Sequence, residues 1–194
     1  MDRVYMGRGS QKLLTCWIPF GDLPVNLGGL AVCEGSHRLD GGFKRLHETY
    51  GLLDTEAVGL RGTGWFTTDP FEISAMDPTS SRWKTANFRA GDVVIFGMAT
   101  IHASTANLTS SLRLSADVRW QPRADVVDER YMKPEEKRVQ AGAWAKDEPV
   151  PPSSSSSTAA AASGVVTTAA ASEAMGVAPP TGVTMETLKM SWGF

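Results

Sequence analysis

The chain has 194 residues, of which 42% are hydrophobic and 21% are charged, so it holds enough apolar material for one ordinary domain. Nineteen basic and twenty-one acidic residues leave a formal net charge of −2, which gives no electrostatic reason to expect a nucleic-acid partner. The start of the chain has no signal-peptide pattern, and both long uncharged stretches contain too much Ser, Thr, Ala, Asn or Pro for a membrane span.

Two cysteines, Cys16 and Cys33, lie outside any CxxC pattern. This spacing argues against a disulfide framework and against a zinc-thiolate site. We therefore expect a reducing compartment, the cytoplasm, unless a targeting signal precedes the chain. The sequence leaves the oligomeric state open.

Short apolar runs separated by turn residues predict a mainly β body. Residues 13–19 (LLTCWIP) and 29–33 (GLAVC) are typical of strands, and a tight turn at residues 89–92 (RAGD) leads into a third at residues 93–96. Residues 112–120 (LRLSADVRW) alternate strictly, with apolar side chains on one face. The opposite face carries Arg113, Ser115, Asp117 and Arg119. Many short strands with long connections favour a sandwich or barrel over a βαβ sheet.

The composition changes after this body. Residues 126–146 have helical composition, and residues 149–180 are rich in Ser, Ala and Pro, with one charge and no aromatic residue. Such a segment cannot bury enough apolar surface to order itself, so it predicts a disordered insert. Residues 181–194 regain an apolar pattern and predict a short helix that docks on the body. The predicted units are residues 1–148, 149–180 and 181–194.

His102 is the first candidate for chemistry. It follows the strand at residues 93–96 within a stretch of small polar residues, as a backbone-bonded turn histidine or as a functional group at a barrel mouth. Arg113 and Ser115 share a strand face, which either is solvated or points into a polar pocket. In a pocket, the planar guanidinium would suit a carboxylate. By spacing alone, a structural role is favoured for His102 and a solvated sheet surface for Arg113.

The other histidines are weaker candidates. His37 lies in a Gly-Ser turn, where solvent exposure is expected, and His47 is expected on a solvated helix face. Ser36, Ser104 and Ser115 lie in no nucleophile-elbow context, so no hydrolase is predicted.

An ordered series of motifs resembles the phytanoyl-CoA dioxygenase family over about residues 2–132. The series runs from WIP (residues 17–19) through GGLAVCEGSHR (28–38) to GDVVIF (91–96). It continues with the family's H-x-S-x-x-N-x-[ST]…R-x-S spacing at His102, Ser104, Asn107, Thr109, Arg113 and Ser115. Each piece is weak alone, but their order is specific.

The resemblance implies an iron(II)- and 2-oxoglutarate-dependent dioxygenase (hydroxylase) that acts on a small organic substrate. The implied fold is a double-stranded β-helix, a jelly-roll or cupin-like barrel with peripheral helices, incomplete at its N-terminus. Two histidines and one carboxylate on one face of Fe(II) leave positions for 2-oxoglutarate and O₂. The substrate itself does not follow, and residues 59–84 are the expected substrate loop.

The resemblance also assigns roles to residues. Asp2 matches the Asp of the family's His-x-Asp pair, and His102 matches the distal histidine ligand. Arg113 would bind the distal carboxylate of 2-oxoglutarate in a water-poor pocket. Ser104 and Ser115 would add hydrogen bonds, and Trp17 would line the wall beside the cosubstrate.

The first histidine of the metal-binding pair would fall just upstream of Met1. We therefore expect this chain to be the C-terminal portion of an oxygenase, with weak Fe(II) binding and negligible turnover. The alternative is a non-enzymatic barrel, a pseudoenzyme, that binds a small carboxylate or a protein partner. An in-frame histidine codon directly before Met1 would favour the first interpretation, and a stop codon there would favour the second.

The segment at residues 149–180 is predicted to be dispensable for folding. Removing residues 153–178 should leave the melting temperature within a few degrees, because closing a loop costs only about 0.6 kcal/mol per doubling of its length. Thermal denaturation followed by circular dichroism measures this. A large loss of stability would instead show that the alanine run packs as a regular element.

Overall fold

The structure, a computed structural model, describes residues 1–79, 81–132 and 183–194. In chain order its α-helices are α1 (Arg3–Met6), α2 (Lys44–Glu48), α3 (Pro70–Met76) and α4 (Met185–Trp192). Its strands are β1 (Leu14–Pro19), β2 (Leu30–Cys33), β3 (Trp83–Lys84), β4 (Val94–Gly97), β5 (His102–Ser104) and β6 (Ser115–Trp120). None of the helices in the described part of the chain has the length and apolar character that a bilayer crossing requires.

The strands form two antiparallel sheets of three strands each, with the orders β4-β1-β6 and β3-β2-β5. The expectation of short strands with peripheral helices is met. The described strands stop short of a closed barrel, so the barrel remains a prediction.

Strand β6 is shorter than its alternating sequence predicts, because its partner β1 ends at Pro19. Pro19 pairs with Ser115 as the last residue of the ladder. Proline has no N–H to donate, and one further bond, from the Phe20 N–H to the Leu114 carbonyl at 3.0 Å, is made before the chains separate. Residues 112–114 therefore lie outside the strand.

The register of the first sheet turns the polar face of β6 toward the interior. Thr15 lies opposite Arg119 on one side and Phe96 on the other, so these three side chains share a face. Thr15 and Trp17 are buried on that face. The opposite face is solvent-exposed although it is apolar, and it includes Leu14, Ile95, Val118 and Trp120.

Two apolar clusters hold the sheets and helices together. The first cluster joins α1, β2, α2 and α3, with buried residues Val4, Cys33, Phe43, Leu46, Tyr50, Leu53, Phe66, Ile73 and Ile101. The second cluster lies between the two sheets and consists of Trp17, Leu23, Leu30 and Phe96. Burial of these side chains supplies the main favourable free energy of folding.

Helix α4 packs against the first cluster. Thr184 caps its start by accepting a hydrogen bond from the Thr187 N–H, and Gly193 ends it in the left-handed region at φ 74°. The Phe194 ring meets the edge of Phe66 with 5.1 Å between centroids. The predicted domain boundaries at 148 and 180, and most of the predicted helix at 126–146, lie outside the described residues.

The structure corrects the expectation that His47 is solvated. Its side chain is buried, with Nε2 2.7 Å from the Ser36 carbonyl oxygen. Nδ1 has no hydrogen-bond partner among the described residues. Burial lowers the pKa of His47, and the hydrogen bond to Ser36 opposes that effect only in part. The sequence did not show this because α2 has only five residues, Lys44–Glu48, which are too few for hydrophobic periodicity to mark its buried face.

Neutral His47 should make the fold sensitive to mild acid. The unfolded chain has a histidine pKa of about 6.5 and the folded one a lower value, so the unfolded state binds more protons below that pH. The contribution of His47 to the free energy of unfolding is expected to be fully present above pH about 6.5 and to be lost as the pH falls below that value. Urea denaturation at several pH values measures it.

A matched pair of variants isolates His47 from the rest of the chain. His47→Gln should flatten the dependence of unfolding free energy on pH, whereas His37→Gln, at an exposed position, should keep it. A slope that persists in His47→Gln and disappears in His37→Gln would contradict the assignment.

Candidate functional site

Asp2 is a buried acidic residue at the start of helix α1. Its backbone carbonyl accepts the Tyr5 and Met6 N–H groups, but its carboxylate makes no capping hydrogen bond to the helix. An Arg3 N–H to Met98 carbonyl bond of 3.2 Å ties this segment to the turn between β4 and β5. The Asp2 carboxylate is therefore directed toward the sheets.

The two oxygens of Asp2 have different partners. Oδ2 accepts a hydrogen bond from Thr15 Oγ1 at 2.5 Å and lies 3.5 Å from Arg119 Nη2. Oδ1 lies 3.3 Å from Nε2 of His102. The carboxylate thus bridges β1 and β6 of one sheet to β5 of the other.

His102 is held in one orientation by its neighbours. Its Nδ1 lies 3.0 Å from the Thr100 carbonyl oxygen, and its ring packs on Phe96 with 4.6 Å between centroids. A carbonyl oxygen can only accept, so Nδ1 carries a hydrogen. Nε2 faces Oδ1 of Asp2, to which it donates a hydrogen bond when the ring is protonated. Without that hydrogen, its lone pair is available to a cation between the two atoms.

Asp2 is ionised at neutral pH. Burial alone raises its pKa, but the hydrogen bonds from His102 and Thr15 and the charges of His102 and Arg119 outweigh burial. The pKa of Asp2 therefore lies well below its usual range. In this site, one anionic carboxylate oxygen and one imidazole nitrogen face each other.

These two donors fit a first-row divalent metal. Carboxylate oxygen and imidazole nitrogen are both ligands of non-heme iron(II). Ligand distances of about 2.0–2.2 Å allow two ligands of one ion to be at most about 4.4 Å apart. The 3.3 Å between Oδ1 and Nε2 meets that limit. No third His, Cys, Asp or Glu joins them within the residues that the structure describes.

Arg113 lies between the hydroxyls of the two sheets. Nη1 donates to Ser115 Oγ at 3.0 Å, and Nη2 approaches Ser104 Oγ at 3.5 Å. No Asp or Glu pairs with it in the described ranges, so its charge is met by neutral groups alone. Arg113 is half-buried and Ser104 is exposed, so this group is open to water on one side, unlike the water-poor pocket expected from the resemblance.

Trp17 lies in the apolar cluster between the sheets. Its ring meets the edge of Phe88 with 4.9 Å between centroids, and its strand position faces the same side as Thr15. Of the six predicted site residues, Asp2 and His102 form one group and Arg113, Ser104 and Ser115 form another. Trp17 lies on the same inner face of β1.

Thr15 and Arg119 are the two site residues that sequence reasoning missed. Thr15 is the only hydroxyl residue in an otherwise apolar strand, and Arg119 lies on the polar face that the alternation at residues 112–120 predicts. Both signals were present, but they point to Asp2 only once the register of β1 and β6 is known.

A cavity of about 460 Å³ lies elsewhere on the molecule. It is lined by the turn after β2 and the end of α3, including Glu34, Arg38, Asp40, Phe43 and Asp77. Neither Asp2 nor His102 lines it, so it is not the site described above.

Comparison with known proteins identifies the family. The sequence model of the family described as "Phytanoyl-CoA dioxygenase (PhyH)" matches residues 2–115, more than half of the chain. The chain belongs to the phytanoyl-CoA dioxygenase family, and the resemblance seen in the motifs is confirmed.

A curated relative is the 1-deoxypentalenic acid 11-beta-hydroxylase of Streptomyces exfoliatus, with 27% identity over 124 residues. The match covers 62% of this chain and 39% of that protein, so the chain spans about two fifths of its relative's length.

Two solved structures from nogalamycin biosynthesis also resemble the chain. One is the non-heme alpha ketoglutarate dependent epimerase SnoN, with 23% identity, a TM-score of 0.42, and coverage of 65% of this chain and 38% of that one. The other is the carbocyclase SnoK, with 20% identity, a TM-score of 0.46, and coverage of 71% and 48%.

His102→Ala is expected to abolish saturable binding of a divalent metal without unfolding the protein. The half-buried imidazole supplies one of two facing donors, whereas the apolar clusters that hold the fold lie beside it. Anaerobic Fe(II) titration and thermal denaturation test the two statements. His37→Ala, at an exposed turn, is the control, and unaltered metal affinity in His102→Ala would make His102 a structural residue.

Proposed function

We propose that this chain forms the iron and cosubstrate part of a 2-oxoglutarate-dependent dioxygenase that hydroxylates a small organic substrate. The observation that carries the proposal is the 3.3 Å approach of Asp2 Oδ1 and His102 Nε2, from opposite ends of the region that matches the family. The two three-stranded sheets are then the described part of a double-stranded β-helix.

Asp2 and His102 would hold iron(II). Bound there with 2-oxoglutarate, the ion supplies the activation of O₂ and the oxidation of the substrate. The chain's own residues prepare the ligands: Asp2 is kept anionic, and the Thr100 carbonyl holds the Nδ1 hydrogen of His102 so that Nε2 can donate its lone pair.

Arg113 would bind the distal carboxylate of 2-oxoglutarate. Its guanidinium is presented by two hydroxyls and has no acidic partner in the described residues, so an anionic ligand would supply the missing charge. A planar fork matches a carboxylate with two parallel hydrogen bonds. Ser104 and Ser115 would add hydrogen bonds to the same group, and Trp17 would form the apolar wall.

The substrate class follows from a relative. The name of the Streptomyces exfoliatus relative describes a hydroxylase of 1-deoxypentalenic acid, which supports hydroxylation of a small organic molecule here too. The net charge of −2 gives no electrostatic support for a nucleic-acid substrate. We also propose that the protein does not act at a membrane.

A second function is favoured by the ligand count. The described residues supply two metal ligands, whereas the carboxylate-binding group at Arg113 needs no metal. A non-enzymatic barrel that binds a small carboxylate or a protein partner would have this composition.

Conversion of 2-oxoglutarate to succinate distinguishes the two functions. It should be measured with and without Fe(II), for this chain and for the chain extended by any residues encoded upstream. Iron-dependent succinate formation supports the dioxygenase, and saturable 2-oxoglutarate binding without succinate in either protein supports the binding protein.

Arg113→Leu should remove most 2-oxoglutarate affinity. A hydrogen bond to a charged group contributes about 1.5–3 kcal/mol, so losing the fork should weaken binding at least about tenfold. Isothermal titration calorimetry with 2-oxoglutarate measures this, and the thermal transition should stay nearly unchanged because Arg113 is half-buried outside both apolar clusters.

Two further variants define the control. Arg113→Lys keeps the charge but loses the fork and should bind with intermediate affinity, while Arg89→Leu removes a cation from an exposed turn and should bind like the unmodified chain. Normal affinity in Arg113→Leu would place the cosubstrate elsewhere.

A further inference from the structure

The two oxygens of the Asp2 carboxylate have different partners. Oδ2 accepts the Thr15 hydroxyl at 2.5 Å and lies 3.5 Å from Arg119 Nη2, while Oδ1 faces, among the described residues, only the imidazole of His102. We propose that Thr15 and Arg119 are positioning residues that occupy Oδ2 and present Oδ1 alone to a metal ion. This inference rests on the proposed role of Asp2 and His102 as metal ligands.

Thr15 fixes the geometry of the Asp2 carboxylate. It lies on β1, the central strand of its sheet, with ladder partners on both sides, and it is 1% exposed. A β-branched side chain in a strand has few allowed rotamers, and a threonine hydroxyl has one hydrogen to donate. That hydrogen is directed at Oδ2, so the backbone of β1 sets the rotation of the Asp2 carboxylate.

Arg119 stabilises the same carboxylate oxygen through its positive charge. It lies directly opposite Thr15 in the β1–β6 ladder, which brings its guanidinium to the same oxygen. A second carboxylate, Asp117, is 3.8 Å from Nη2, and the Arg119 side chain is 30% exposed. Because solvent screens such a pair, its strength is smaller than that of a buried ion pair, but it still favours the ionised carboxylate.

The Asp2 carboxylate has other orientations open to it, and this is why two positioning residues are needed. An aspartate that precedes a helix ordinarily accepts hydrogen bonds from the first free N–H groups of that helix, and the Asp2 side chain does not. Without Thr15 and Arg119, the carboxylate could turn to the α1 N–H groups or present both oxygens to a metal. Groups that orient metal ligands in this way typically change metal affinity about 10–100-fold.

The test is a Co(II) titration of the whole chain, followed by the visible absorption of the bound ion and extended to high metal concentration. Thr15→Val keeps the shape of the side chain but removes its hydroxyl, and Arg119→Leu removes the guanidinium. Each should weaken Co(II) binding about 10–100-fold and change the absorption of the bound ion, because the coordination by Asp2 changes.

Conservative variants separate positioning from general damage. Thr15→Ser restores a hydroxyl at the same place and should recover affinity close to that of the unmodified chain, and Arg119→Lys should recover part of it. Arg89→Leu controls for the loss of one positive charge. Arg119 lies at a partly exposed position. Its variants therefore test the positioning role even where a change at buried Thr15 impairs folding.

The outcomes distinguish this inference from the proposed function. If the unmodified chain binds Co(II) and His102→Ala does not, but Thr15→Val and Arg119→Leu both bind as tightly as the unmodified chain, the positioning role is wrong and the metal site stands. If His102→Ala and the unmodified chain bind Co(II) equally, both the metal site and the positioning role are wrong.

Discussion

Burial of one charged group, the Asp2 carboxylate, organises this part of the molecule. A carboxylate withdrawn from water must be compensated by hydrogen bonds or charges, and Asp2 is 6% exposed. Its partners come from β1, β5 and β6, which belong to two different sheets. The carboxylate therefore stabilises the fold only when the sheets meet in the observed arrangement, and the same arrangement places an oxygen and a nitrogen side by side.

The inward polar face of β6 follows from the same requirement. Its apolar positions Val118 and Trp120 face solvent, while Arg119 and Ser115 lie on the side of the site. A sheet that only supported a core would have the reverse orientation, since burial of apolar area is the main favourable free energy of folding. Arg119 reaches the Asp2 carboxylate from this face, while the apolar side chains Val118 and Trp120 of β6 remain exposed.

The two arginines of the β6 region contribute different chemistry because of what they meet. Arg119 reaches a buried carboxylate of the chain itself and stabilises its charge. Arg113 meets only serine hydroxyls among the described residues, so its charge is available to a ligand. Residues 113–119 thus contain one arginine that pairs with a buried carboxylate of the chain and one whose charge meets only hydroxyls among the described residues.

The sequence by itself predicted four of the six described strands (β1, β2, β4 and β6), the family and the candidate residues, but not the short strands β3 and β5. Alternation predicted which side chains of residues 112–120 share a face, and the order of short motifs identified the family that residues 2–115 match. Both are local properties: alternation depends on the pleat of one strand, and the motifs depend on spacing along the chain.

Only the tertiary structure decided which side chains meet. The sequence could not show that the polar face of β6 points inward, that Thr15 lies opposite Arg119, or that His47 is buried under the Ser36 carbonyl. Each depends on register and packing between segments far apart in the chain, and a shift of one residue would reverse every side chain of a strand. The resemblance had already assigned Asp2 and His102 to one metal site, but the distance between them, 3.3 Å from Oδ1 to Nε2, depends on how the two sheets pack around one charge.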